Sequence, residues 1–178
     1  MSRWRRRYHG LVTRLYGPDR DTTWLTWIGD ERVAVGSVPT AATIGRLAGQ
    51  GVTHVVNCRS GPQTWISQDL AVERAIFGAA AVAHAPMHDH GRPQPPGRWS
   101  PAAEFAATVL DADPAARVLV HCQQGRHRSA MLAYAVLRLR GHSPAAATEL
   151  ITTHRTEARL LDAYTTSVER WLTTRAGT

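Results

Sequence analysis

VLVHCQQGRHRSAML, residues 118–132, sets an apolar run that ends in His121 and Cys122 against a second apolar run that begins just after Arg128. The first, RVLVH, reads as a short buried strand, and SAMLAYAVLRLRG reads as a mostly apolar helix stopped by glycine. The chain has only two cysteines, and one of them stands on the short polar loop CQQGRHR between these elements. A loop that joins a strand end to a helix start over so few residues turns its successive amides inward and forms an anion nest. The unpaired N–H groups at the helix start, with the helix dipole, favour a phosphate-like anion and also a thiolate at Cys122.

A free thiol with a pKa near 8.5 is only about 3% ionised at neutral pH, whereas cysteines at helix starts or beside cations ionise far more readily. The loop therefore activates its own nucleophile. Arg128 offers a planar fork for two oxygens of a phosphoryl group, which a lysine could not match. Ser129 can donate to the sulfur and help it leave, and Gly125 permits a backbone angle that other residues resist. Gln123, Gln124, Gly125, Arg126 and His127 supply backbone donors for the anion, with the side chains of Arg126 and His127 at the mouth. His121 can tune Cys122 from behind the loop.

Working outward, ERVAVGSVP reads as a strand, Thr40 to Gln50 as a helix closed by Gly51, THVVNC as a buried strand, and PQTWISQDLAVERAIFG as one helix ending at Gly78. AAVAHAPM is a further strand. HDHGRPQPPGRWSP holds four of the ten prolines and two glycines, so it is a sizeable surface loop, of the kind that often carries function. Helices follow over PAAEFAATVLDADP, SPAAATELITTHR and ARLLDAYTTSVERWL. Strands alternating with helices, in a chain of 178 residues that is 43% hydrophobic, imply a single α/β domain with a central, mostly parallel, mixed sheet flanked by helices.

The formal charge of +7 comes entirely from arginine, with no lysine in the chain, a pattern that base composition in the encoding genome would also produce, so it does not argue for nucleic acid. Residues 1–23 form a basic extension whose Trp4, Tyr8, Leu11, Val12, Leu15 and Tyr16 make an apolar helical stripe, suited to packing on the domain or to peripheral contact with an anionic membrane. MSRWRRRYHG leads into no apolar stretch long enough for secretion or spanning, and two cysteines make no disulfide scaffold, so a cytoplasmic location is expected. Nothing in the sequence speaks to oligomeric state.

HCQQGRHRS resembles the HCxxGxxR(S/T) signature of the cysteine-dependent protein tyrosine phosphatases, and the chain is most similar to their compact dual-specificity branch. RVAVGSVPT resembles the strand and turn that open such domains, GVTHVVN the next core strand, APMHDHGRP the loop carrying the general acid, and GHSPAAA the helix start after the signature. The likeness covers roughly residues 24 to 173, within a catalytic domain placed at 24–178. It implies a dual-specificity phosphatase-like fold with Cys122 as nucleophile, Arg128 as phosphate clamp, and Asp89 as the acid that protonates the leaving oxygen and then the base for the hydrolytic water. Asp89 fits on position too, lying in the proline-rich loop 33 residues before Cys122, whereas Asp111 and Asp113 end a helix and Asp69 lies within one. The resemblance implies no metal or cofactor, and a phosphorylated protein or a phospholipid as substrate. Some relatives hold a second cysteine beside the nucleophile as a redox partner, a place Cys58 can fill.

Two rival readings stand beside this one. His84, His88, Asp89 and His90 have the composition of a metal-dependent hydrolase site, without further ligands at recognisable spacing. A phosphate-recognising module without catalysis would also use the loop, although it would not need Cys122, Arg128 and Asp89 together.

Overall fold

The computed structural model describes residues 25–177, so the basic extension over 1–23 lies outside the described residues. Five short strands form one mixed sheet: β1 (Leu25–Trp27), β2 (Val33–Gly36), β3 (His54–Asn57), β4 (Val82–His84) and β5 (Val118–His121), in the order β1-β2-β5-β3-β4. β1 runs antiparallel to β2, and the other pairings are parallel. β5, the strand that delivers Cys122, is central and buried along its whole length, as expected for a parallel strand covered on both faces.

Side chains alternate across the sheet and so divide the core in two. Val33, Val35, Val56, Val118 and Val120 face one cluster with α4 (Ser100–Ala112), α5 (Arg128–Leu139), α6 (Pro144–His154) and α7 (Asp162–Ala176). Ala34, Val55 and Leu119 face a smaller cluster with Ile44 of α1 (Ala41–Ile44) and Leu70, Val72 and Phe77 of α3 (Asp69–Phe77). The same alternation decides the site, because His121 continues the face of Leu119 whereas Cys122 falls on the face of Val120.

Three elements differ from the sequence reading. The helix expected from Thr40 to Gln50 is one turn, α1, followed by a 3₁₀ turn over Ala48–Gln50, because Gly45 and Gly49 weaken any longer helix. The single helix expected to end at Gly78 is two, α2 (Gly61–Ser67) and α3, broken at Gln68 with φ +60. That break buries Asp69 in the first turn of α3, where the helix dipole favours an acid. The last helix begins at Asp162, later than ARLLDAY suggests, after an extended Leu161. β1, with three residues, carries too little pattern to be read from sequence.

The proline-rich loop is fastened to the C-terminal helix. Trp99 is fully buried, meets Trp171 edge-on with ring centroids 5.1 Å apart, and donates its indole N–H to the Gln94 carbonyl at 3.3 Å. Its role is packing, away from any substrate. Trp99→Ala is expected to lower the unfolding free energy by about 3–5 kcal/mol, the usual range for a buried large aromatic, read from the urea midpoint at unchanged m.

Candidate active site

The loop from Cys122 to His127 is shaped by contacts made to its outside. The Gln123 carbonyl accepts from Val38 N at 3.3 Å, the Gly125 carbonyl from Arg155 Nε at 2.8 Å, and the Arg126 carbonyl from Arg159 N at 3.0 Å. In a planar trans peptide the carbonyl and the next N–H point opposite ways, so each outward oxygen turns the following amide inward. Gly125 has φ +68, and a Cβ there would lie 2.6 Å from Arg155 Nη2 and from the Gly36 carbonyl carbon, so both the backbone angle and the space demand glycine.

Inside the loop, Cys122 Sγ lies 3.3 Å from the Gly125 N–H and 3.3 Å from Ser129 Oγ. Burial pushes the thiol up, but the Arg128 charge, the Ser129 hydroxyl and the amides of Ser129 and Arg126 more than offset this and hold it below the ordinary thiol range. Arg128, the first residue of α5, is nearly fully buried. Its Nη1 donates to Gln63 Oε1 at 2.9 Å and the Met87 carbonyl at 3.2 Å, with Cys58 O at 3.5 Å. Its Nε is buried with no hydrogen-bond partner among the described residues, a donor available to an oxyanion.

The structure brings Asp89 to the same place. Its Oδ2 lies 3.7 Å from Arg128 Nε, and its Oδ1 lies 3.1 Å from His127 Nδ1. The loop bearing it is tied down on either side: Gln94 Nε2 and Tyr164 Oη donate to the His88 carbonyl at 2.7 and 3.3 Å, and the Gly91 N–H donates to Tyr164 Oη at 3.3 Å. Cys122, the Arg128 guanidinium and the Asp89 carboxyl are thus brought together. Of the other loop residues, Gln124 and Arg126 are exposed and Gln123 is half-buried, accepting through its side chain from Arg59 Nε at 3.1 Å.

Behind the loop, on the face of Leu119, lies a buried polar network that the sequence did not reveal. His121 Nε2 meets Glu73 Oε1 at 2.7 Å, and Arg59 Nη1 meets Asp69 Oδ2 at 2.8 Å. Asn57 Nδ2 donates to both Asp69 and Glu73, at 2.8 and 3.1 Å. Burial works against charge on His121, but Glu73 and Asp69 more than compensate and raise its pKa from the ordinary imidazole value. Asp69 is likewise pushed up by burial and brought below the usual carboxylate range by Arg59 and the Ser67 hydroxyl. Asp69, Glu73 and His121 are the one group of three metal-ligand side chains gathered among the described residues, but their oxygens and Nε2 already serve one another, Arg59 and Asn57.

The rival metal site does not assemble. His84 Nε2 is taken by the Arg59 carbonyl at 2.8 Å, and His88 and His90 stack on each other with centroids 6.3 Å apart. Cys58 follows the Asn57–His121 register pair and therefore sits beside Cys122; its N–H donates to the His121 carbonyl at 2.8 Å. Burial, then the neighbouring Cys122, push its thiol well up, so it stands protonated next to an ionisable sulfur.

No family model and no curated protein matches the chain. Solved structures do. Human DUSP28 is 24% identical, with 83% of this chain and 92% of that one covered, at a TM-score of 0.63. PTPMT1, in complex with PI(5)P, is 22% identical over 86% of this chain and 99% of its own, at 0.71. Kinase associated phosphatase, with its catalytic-site cysteine replaced by serine, is 15% identical over 86% and 96%, also at 0.71. The fold is that of the dual-specificity phosphatases. Within that phosphatase fold, Arg155, Arg59, Asn57, Gln63, Asp69 and Glu73 are the site-supporting residues that sequence reasoning missed. Only the acid at the start of α3 and the Ser60–Gln63 capping box left any local signal.

Alkylation tests the electrostatics of Cys122. Iodoacetamide inactivation is expected to reach its plateau below the pH a free thiol requires. Arg128→Ala removes the cation that favours the thiolate, so the transition should move to higher pH in rates measured across the range.

Proposed function

We propose that the chain is a cysteine-dependent phosphatase that hydrolyses phosphomonoesters, foremost phosphotyrosine and also phosphoserine and phosphothreonine in proteins, through a phosphocysteine intermediate. The observation that carries this is the position of Cys122 Sγ, 3.3 Å from both an inward amide and the Ser129 hydroxyl, in a loop whose Arg128 keeps a buried donor free. The thiolate attacks phosphorus and the P–O bond of the ester breaks, while Asp89 gives its proton to the departing oxygen. Water then attacks the phosphocysteine, Asp89 takes the water's proton, and the sulfur departs as thiolate with Ser129 donating to it. Charge on the transferring group is borne by the inward amides and Arg128, which is most of what phosphoryl transfer asks of a protein. In the same reading Cys58 is the thiol that would capture an oxidised Cys122 as a disulfide.

Turnover of a phosphotyrosine peptide is expected to vanish in Cys122→Ser. In Asp89→Asn it should fall by roughly 10²–10⁴, the usual share of a general acid, measured as kcat by phosphate release. A Cys122→Ser chain that keeps turning over would overturn the mechanism.

A phosphoinositide substrate is the second reading. It is favoured by Trp65, 71% exposed on the same α2 that brings Gln63 to Arg128, because an exposed tryptophan suits a membrane interface. The PI(5)P carried by PTPMT1 in its complex supports the same class. If lipid is the substrate, turnover of PI(5)P in anionic vesicles should exceed that of the phosphotyrosine peptide, and Trp65→Ala should lower the vesicle rate alone; equal loss on both substrates, or none, counts against it.

A further inference from the structure

His127 directly precedes α5 with helical backbone angles, φ −107 and ψ −67, and its side chain makes no bond to the helix start. The imidazole caps nothing. It reaches instead across 38 residues of sequence to Asp89, with Nδ1 3.1 Å from Oδ1.

We propose that His127 is the positioning residue of Asp89, fixing which carboxyl oxygen holds the proton that goes to the leaving group; this rests on the phosphatase reading above. An Nδ1–H donating to Oδ1 occupies that oxygen, so the acidic proton must sit on Oδ2. Oδ2 is the atom that faces the guanidinium fork, 3.7 Å from Arg128 Nε, and so the one beside the phosphoryl oxygens. The contact serves both half-reactions. In the first, the protonated carboxyl still accepts at Oδ1 while Oδ2 gives up its proton to the ester oxygen; in the second, the carboxylate still accepts at Oδ1 while Oδ2 takes a proton from water. The Asp89 side chain is one-third exposed, so without this bond it could rotate and present either oxygen to solvent. Correct orientation of a reacting group contributes heavily to rate.

Leaving-group dependence separates this role from a structural one. An aryl phosphate with a good leaving group, 2,4-dinitrophenyl phosphate, needs little protonation, whereas phenyl phosphate depends on the acid. His127 is only half-buried and makes no bond to the helix start, so His127→Ser is expected to melt close to the parent, and His127→Asn places an amide donor near the position of Nδ1. In His127→Ser, kcat for phenyl phosphate should fall by roughly tenfold more than kcat for the dinitrophenyl ester, part of the 10²–10⁴ that an acid supplies. His127→Asn should recover most of that difference. On an Asp89→Asn background His127→Ser should add no further discrimination between the esters, the signature of two residues acting as one unit. Equal losses on both esters, no loss on either, or a further roughly tenfold discrimination added by His127→Ser on the Asp89→Asn background would overturn the inference while leaving the phosphatase reading intact. A parent chain that turns over neither ester would overturn both.

Discussion

Arg155 donates to the carbonyl of Gly125 from the outside of the loop, and that one bond fixes the peptide plane whose other end, the Arg126 amide, is among the groups that stabilise the Cys122 thiolate. The guanidinium is buried and also donates to Thr26 Oγ1 of β1 at 3.0 Å, so the edge strand and the C-terminal end of α6 are both committed to holding it. Gly125 completes the arrangement because nothing larger fits between Arg155 and Gly36. The anion nest is therefore a tertiary construction, although its sequence is local. Its orientation is imposed by β2, β1 and the segment after α6 rather than by the signature residues alone.

The network on the opposite face of β5 performs a different task. Two acids, an arginine and a histidine are buried together, Asp69 with Arg59 and Glu73 with His121, and satisfy one another within one cluster. Buried pairs of this kind add little net stability, since desolvation offsets their attraction, but they penalise any arrangement that leaves one member unpaired. Each member comes from a different place: β3 and its exit, the start of α3, the middle of α3, and the end of β5. The network thus specifies the seating of α3 against the strand that delivers Cys122, while Arg59, through Gln123, reaches the loop itself.

The legible parts of the sequence were those in which neighbours in the chain are also neighbours in space. β5, its loop and α5 could be read because strand, nest and helix start are contiguous, and the gathering of Cys122, Gly125, Arg128 and Ser129 at one loop follows from that order. Asp89 became readable only through the resemblance and the proline-rich loop around it. The supporting residues were not legible for a physical reason. Arg155, Glu73 and Gln63 act through side chains that meet Gly125, His121 and Arg128 across 30 to 65 residues, and in isolation each looks like an ordinary helix or loop residue. The break at Gln68 was hidden for the same cause, since it is the buried position of Asp69, rather than any proline or glycine, that ends one helix and begins the next.

Tyr164 and Ser167 on α7 grip the acid-bearing segment at His88, Gly91 and Gln94. Trp171 on the same helix backs Trp99. Few of those contacts come from the sheet, so the carboxyl is carried by the C-terminal helix as a tool is carried by its handle. Such a segment takes its order from the fold itself. The reverse also holds: loosening the last helix would free the segment that carries Asp89 and, with it, the Met87 carbonyl that accepts from Arg128.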